Sequence, residues 1–380
     1  MNILTHPVRL VSSGIAAALL AAAPTAASAH DPGRSVAGAG HLVFVQTAEA
    51  AGNTVIEYER TRSGGLVELG AYPTGGAGGT LGGAVADQLA SEGSLTYDAS
   101  TRLLYAVNSG SSTVTVFAVQ GDRLVRRQVV ASGGDFPVSV TARGTDVYVL
   151  NARAGGSLQG FVQIGGHLTA VPSWHRELGF DPHPVPEFTA TPAEVAFTPD
   201  ASKLVVSTKL DGNSVLVFPL GRHGPSATPV VNTHVGAVPF GFVFDRSGNL
   251  VLTEAGPGTV STYRILRDGT LRTLDTEVTG GAAVCWVTGA NGTFYVSNTG
   301  SGSISIYGET GAGDLSKRGD VPTGAGPVDS TVSSDGSYLY VETGVAAGVD
   351  VFRIGPHGSL TKTVTVSVPG AAGGQGIVAL

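Results

Sequence analysis

The chain has 380 residues, of which 13% are charged and 56 are glycine, and its formal net charge is −7. An acidic balance without any basic run excludes the electrostatic footprint of nucleic-acid binders and of proteins that adhere to anionic membranes, and leaves small-molecule ligands open. The single cysteine, Cys285, excludes an internal disulfide, so the fold must be held by its core.

Taken in chain order, the first 29 residues read as a secretory signal peptide. His6 and Arg9 stand in a short polar lead, an apolar run follows from Gly14 to Ala23, and Ala27-Ser28-Ala29 precedes the expected cut. Residues 30–40 read as a flexible segment and 41–380 as the folded domain. The apolar run is shorter than the roughly 20 residues a membrane span needs, and no later stretch is longer and uncharged. The expected product is therefore a secreted or periplasmic monomer without a membrane anchor.

The folded part is organised by one repeated pattern. Leu103 to Val119, LLYAVNSGSSTVTVFAV, alternates apolar with small or polar residues into Asn108, turns through Ser109 to Ser112, and alternates again from Thr113. That is a β-hairpin. Its first strand recurs at Leu42 (LVFVQ), Leu104 (LYAVN), Val147 (VYVLN), Leu204 (LVVST), Leu250 (LVLTE), Phe294 (FYVSN) and Tyr338 (YLYVE). The steps are 62, 43, 57, 46, 44 and 44 residues, a unit of propeller-blade length with two longer intervals.

A further strand precedes six of the seven hairpins: GSLTYDAS from Gly93, FPVSVTARG from Phe136, TPAEVAFTPDAS from Thr191, VPFGFVFDRSG from Val238, AAVCWVTGANG from Ala282 and GPVDSTVSSDG from Gly326. The hairpin at Leu42 lacks one, while the chain closes with GGQGIVAL, Gly373 to Leu380. The predicted fold is all-β: a seven-bladed propeller of four-stranded blades, its ring closed by the C-terminal strand pairing in the N-terminal blade. Cys285, in the apolar run AAVCWV, is expected to be a buried, inert thiol.

The two long intervals fall between the last strand of one blade and the first of the next, on the face where the innermost strands begin. Thr74 to Gly93 is glycine-rich and then offers AVADQLAS as two helical turns; its glycines, with neither a GKS/T motif nor a Rossmann context, suit a loop that crosses the mouth. Ala170 to Pro192 gathers Trp174, His175, Arg176, Glu177, Asp181, His183 and Glu187 in a span otherwise poor in charge. It reads either as a lid whose Trp174 stacks on a ring of the ligand, or as a proline-stiffened cover packing Trp174 onto a blade edge.

Hairpins of the type LYAVN, VYVLN and FYVSN, with first strands such as PAEVAFTPD and PVDSTVSSDG, resemble the YVTN-type repeats of the lactonase-family propellers. That family includes the propeller-type 6-phosphogluconolactonases and the fungal carboxymuconate lactonising enzymes. The resemblance covers about Leu42 to Leu380 and implies the propeller fold and a hydrolase of a lactone or similar cyclic ester. It also implies catalytic positions, and this chain departs at each. The His after Pro is Val138, the Arg after Pro is Ala193, the Glu after the Asn-type position is Lys209, and the Arg of a Pro-Arg-Gly context is Phe240. Val138, Ala193 and Phe240 can neither transfer a proton nor stabilise an oxyanion. The alternative is a non-catalytic binding or cell-envelope scaffold.

Other residues share the mouth register. Ser94, Ser139, Glu194, Gly241, Cys285, Asp329 and Gly376 align on the innermost strands. An enzymatic reading takes Glu194 or Asp329 as the base, with Lys209 beside Glu194 as an electrostatic aid. Candidate ligand-binding residues are Trp174, His175, His183, Asn108, Asn151, Glu254 and Asn298; for the asparagines, satisfaction of blade turns is the competing role. No cofactor is implied. Oxygen ligands for calcium from Glu254, Asn298 and Asp329 form the one metal option, without the ligand-dense loop that would single it out.

Overall fold

In the computed structural model, residues 41–310 and 312–380 are described. The stretch expected to be a signal peptide, residues 1–29, and the segment from 30 to 40 lie outside the described residues. Strands from Leu42 to Ala379 form seven antiparallel sheets. Blade 1 contains Leu42–Gln46, Thr54–Arg60 and Leu66–Pro73, and its innermost strand is the C-terminal Ile377–Ala379. Val43, Phe44 and Val45 face Ala379, Val378 and Ile377, so the expected closure is present. Blades 2 to 7 begin with Leu95–Asp98, Pro137–Arg143, Glu194–Phe197, Pro239–Phe244, Val284–Ala290 and Pro327–Val332, the strands expected ahead of the hairpins. In blades 3 and 4 the outermost strand is split into two short pieces.

The core lies between blades. In Leu103–Asn108 every residue is buried, because the strand is covered on both faces. Leu103, Tyr105 and Val107 point toward blade 3, and Leu104 and Ala106 toward blade 1. Period-two alternation here sorts side chains between two neighbouring blades, not between core and water. The recurrent tyrosines Tyr105, Tyr148, Tyr295 and Tyr340 are all fully buried. No blade can bury both faces alone, so stability is shared around the ring.

Two sequence expectations are corrected. Ala84 to Ser91 forms no helix; the described helices near the mouth are Glu187–Ala190 and Lys209–Gly212, of four residues each. The second long interval does not stay on the mouth face. Pro172–Trp174 runs along the outside of blade 3, and Arg176–Glu177 pairs with Ser157 and Leu158 before the chain reaches the mouth again. Among the described residues no helix is long and apolar enough to cross a membrane.

Candidate functional site

The centre of the ring is filled from the mouth by the chain's own Thr74 to Gly93 segment. Asp87 accepts the amides of Leu89 (2.8 Å) and Ser91 (3.2 Å), a carboxylate-stabilised turn that directs Leu89 to Glu92 into the axis. Leu81, Leu89 and Ala90 pack with Phe136 and Val138, while Ala86 packs with Ala193, Phe240, Trp286 and Val328. Three hydrogen bonds fix the backbone: Trp286 Nε1 to Ser91 O (2.6 Å), Ser91 Oγ to Val138 O (2.9 Å) and Lys209 Nζ to Ala90 O (2.6 Å). A β-carbon at Gly344 would collide with Ala86 O, so glycine is required where this plug crosses blade 7.

The four positions at which the resemblance implies catalytic groups all touch the plug. Val138 and Phe240 supply apolar packing, Ala193 O accepts the Glu92 amide at 3.2 Å, and Lys209 holds Ala90. Lys209 does not serve Glu194 as expected. Its ammonium also donates to Phe188 O (2.7 Å) and Thr191 Oγ1 (3.0 Å) and lies 5.5 Å from the Phe240 ring centroid. Desolvation brings its pKa down to about 7, opposed by the charge of Asp87.

Beneath the plug, Glu194 and Asp329 do converge on the axis, and Glu92 joins them. The physical reason lies in the free edge of each innermost strand, whose amides face the channel and need acceptors. Ser139 Oγ of blade 3 accepts Val195 N (3.2 Å) of blade 4; Glu194 Oε2 accepts Phe242 N (2.7 Å) of blade 5; Asp329 Oδ2 accepts Ile377 N (3.4 Å) of blade 1. Blade 5 has Gly241 at this register and so no acceptor of its own. Glu92 fills the gap, its Oε2 accepting Val287 N (3.4 Å) of blade 6, and a β-carbon at Gly241 would collide with that oxygen.

Burial penalises charge on all three carboxylates. Glu92 is held well above the usual carboxylate range by desolvation and by the charges of Glu194 and Asp329, Glu194 by desolvation and the charge of Asp329, and desolvation lifts Asp329 to about 7. Asp87 is lifted to about 7 and Glu342 well upward for the same first reason. Glu342 Oε2 accepts Gly376 N (2.8 Å), and its Oε1 has no partner. A cluster of carboxyl groups shifted upward in this way can serve as acid or base toward any group that reaches it. Cys285 packs at the edge of the plug contact and is half-buried where full burial was expected; desolvation pushes its thiol up to about 12.

The remaining candidates are dispersed. Asn108 Nδ2 donates to Thr113 Oγ1 (3.1 Å) and Thr115 Oγ1 (2.9 Å); Asn298 repeats this with Ser303 and Ser305; Asn151 donates to Ser157 Oγ (3.3 Å). These buried amides stitch the turns between second and third strands. Against desolvation, His234 at 3.6 Å and then the donors Tyr263, Ser261 and Thr259 of blade 5 drop the Glu254 pKa to about 2. Glu254 and Asn298 thus face their own blades while Asp329 faces the axis, and among the described residues no acidic, His or Cys group is arranged to hold a metal ion. Trp174 is not at the mouth: it stacks on Tyr148 at 5.6 Å and 19° in the groove between blades 3 and 4. His175 contacts Gln159 and Glu177.

His183 does stand at the mouth, on the rim of a cleft of about 690 Å³ with Gly83, Asp135, Arg153, Pro186 and Glu187. Arg153 donates to both Glu187 oxygens (2.5 and 3.1 Å) and lies 4.1 Å from the Phe136 ring centroid, while Glu187 Oε2 accepts Gly82 N (2.6 Å). This pair ties the two long intervals together. Sequence reasoning missed Glu92 and Asp87 because their segment read as a glycine-rich crossing loop. The available signal was the pair of short side chains at Gly241 and Cys285, where the neighbouring blades carry polar groups at the same register.

No family model matches the chain, and no curated protein matches it. Solved structures match its fold throughout. A provisional 6-phosphogluconolactonase of Bacteroides fragilis aligns with a TM-score of 0.69 at 20% identity, over 90% of this chain and 98% of its own. A protein of Lactobacillus plantarum gives 0.70 at 18%, over 90% and 99%. The periplasmic gluconolactonase PpgL of Pseudomonas aeruginosa gives 0.69 at 19%, over 89% and 98%. At these identities the likeness is one of fold: a full seven-bladed ring of the kind those proteins share.

Proposed function

We propose that this chain is an exported propeller of lactonase-like build that works by binding a small molecule at its mouth and does not hydrolyse lactones there. The observation that carries this reading is the plug. The four positions where lactone chemistry is expected are occupied in packing or holding Ala86 to Glu92, and the one cation among them, Lys209, is saturated by three acceptors of its own chain. Ring opening needs a cation or donor free to meet the developing oxyanion. The binding surface is the cleft between the two long intervals, with His183, Asp135 and Arg153 as polar groups among proline and glycine walls. Export is inferred from the N-terminal sequence and agrees with the periplasmic address of the Pseudomonas neighbour.

A second reading, a lactone or cyclic-ester hydrolase with a relocated site, is favoured by one feature: the carboxyl groups of Glu92, Glu194 and Asp329 converge on the axis, where burial raises each above its ordinary range. Hydrolysis of a panel of γ- and δ-lactones by the mature protein, with and without chelator, decides between them. The binding reading expects rates at the uncatalysed level for wild type, Glu194→Gln and Asp329→Asn alike. Turnover in the wild type that is lost in either variant establishes the hydrolase.

A further inference from the structure

On the face opposite the mouth, the groove between blades 3 and 4 widens into a pocket of about 520 Å³, and the first part of the second long interval forms one wall of it. Arg143 closes the innermost strand of blade 3 and Asp146 opens the next, which puts both at the base of the blade. Tyr148, Trp174 and Phe197 line the interior, and Arg222 stands at the rim. This aromatic group is packed tightly: Tyr148 meets Phe197 edge-on at 5.6 Å and 71°, and Trp174 stacks on its other side. The fit of Trp174 is specified by glycine on both flanks, since a β-carbon at Gly160 or Gly224 would strike its side chain.

The chemistry presented is that of donors. Arg143 spends Nη1 on Thr198 O (3.3 Å) and Pro199 O (2.6 Å), which holds the guanidinium in place with its other nitrogens unused. Arg222 is exposed. Among the described hydrogen bonds neither the Trp174 indole N–H nor the Tyr148 hydroxyl has a partner, and neither atom is among the sealed, unpartnered ones. Two arginines therefore line one concave site together with Tyr148 and Trp174, and Asp146 is its acidic residue. The donors suit a carboxylate, the carboxylate of Asp146 suits hydroxyl groups, and the aromatic walls suit the apolar C–H surface of a saturated ring. We infer that this pocket is a binding site for a carboxylated monosaccharide, a uronic acid, independent of the mouth cleft.

The test is titration of the mature protein with glucuronate, followed by tryptophan emission and by calorimetry. Trp286 is buried against the plug, so a response at this pocket reports through the partly exposed Trp174. The expected result is a saturable change with glucuronate, with glucose binding at least about tenfold more weakly because it lacks the charged group. Arg222→Ala, whose side chain has no structural bond, is expected to keep the melting temperature and lose about tenfold in affinity. Trp174→Phe is expected to bind more weakly in calorimetry, whereas Arg272→Ala, exposed on the outermost strand of blade 5, leaves glucuronate affinity unchanged. No saturable signal in either method, equal binding of glucose, or an unchanged affinity in Arg222→Ala would overturn the assignment.

Discussion

Replacing Asp329 by asparagine separates the two faces of the axial cluster, because the amide keeps an acceptor oxygen for Ser330 N or Ile377 N and removes the charge. Desolvation raises the Asp329 pKa from 3.8 to about 7 in the fold. A carboxyl group whose folded pKa is raised binds protons more tightly in the native state, so its contribution to stability is present below the unfolded pKa and is lost as pH rises through the folded one. Three pKa units correspond to on the order of 4 kcal/mol, spread between about pH 4 and pH 8. For a ring of this size that is a fall in Tm of roughly 5 °C. Asp87 and Glu57, each lifted to about 7, and Glu309, lifted to about 8, act in the same sense and add to the wild-type slope. The discriminating quantity is therefore the difference between proteins. Scanning calorimetry from pH 5 to pH 8 at fixed ionic strength should show Asp329→Asn gaining on the wild type by several degrees across the window, since relief of repulsion also eases Glu92 and Glu194. Parallel pH profiles would refute the account of a desolvated, mutually repelling cluster.

Truncation before Gly373 removes the innermost strand of blade 1 and exposes an open edge; the product should be insoluble or melt far below the full chain in a thermal scan. Trp174→Ala removes a side chain stacked on Tyr148, with an expected loss of about 2–4 kcal/mol by denaturant unfolding. Glu254→Gln removes a carboxylate held at about 2 by His234, Tyr263, Ser261 and Thr259, whose combined effect outweighs desolvation. Its stabilisation is present above the unfolded pKa and fades as pH falls toward 2, so the variant should be less stable than wild type at pH 7 by about 2–3 kcal/mol and converge with it in acid. Leu89→Asp places a charge in the packed underside of the plug, and limited proteolysis is expected to cut the variant between residues 74 and 93 and to leave that segment of the wild type intact.

The ring itself was legible because each blade repeats the same local instructions: Tyr105, Tyr148 and Tyr295 stand at equivalent places in their hairpins, and Ile377–Ala379 completes the one blade that begins without an inner strand. The innermost register was legible too, as the line from Ser139 through Glu194 to Asp329 shows. What lay beyond the sequence was the path of the irregular segments. A run such as GGAVADQLASEG carries little periodic signal, and its course is fixed by distant partners: Trp286, Lys209 and the empty place at Gly241. Trp174 likewise follows Gly160 and Gly224, which stand far from it in their own strands and accept its ring. Lys209 was expected to attend Glu194 by adjacency in the blade, but Ala90 O of the plug and Phe188 O of the second long interval decide its position.

The central claim is that the mouth is filled by packed chain. Hydrogen exchange on peptides spanning residues 85–93 tests it most directly, since the amides of Leu89, Ser91 and Glu92 are bonded to Asp87 and Ala193 inside the ring. The account predicts protection of these amides approaching that of the second strands of the blades, at pH 7 and without ligand. Exchange on the timescale of an open surface loop would contradict it, and would return the axial carboxylates to the reach of substrate.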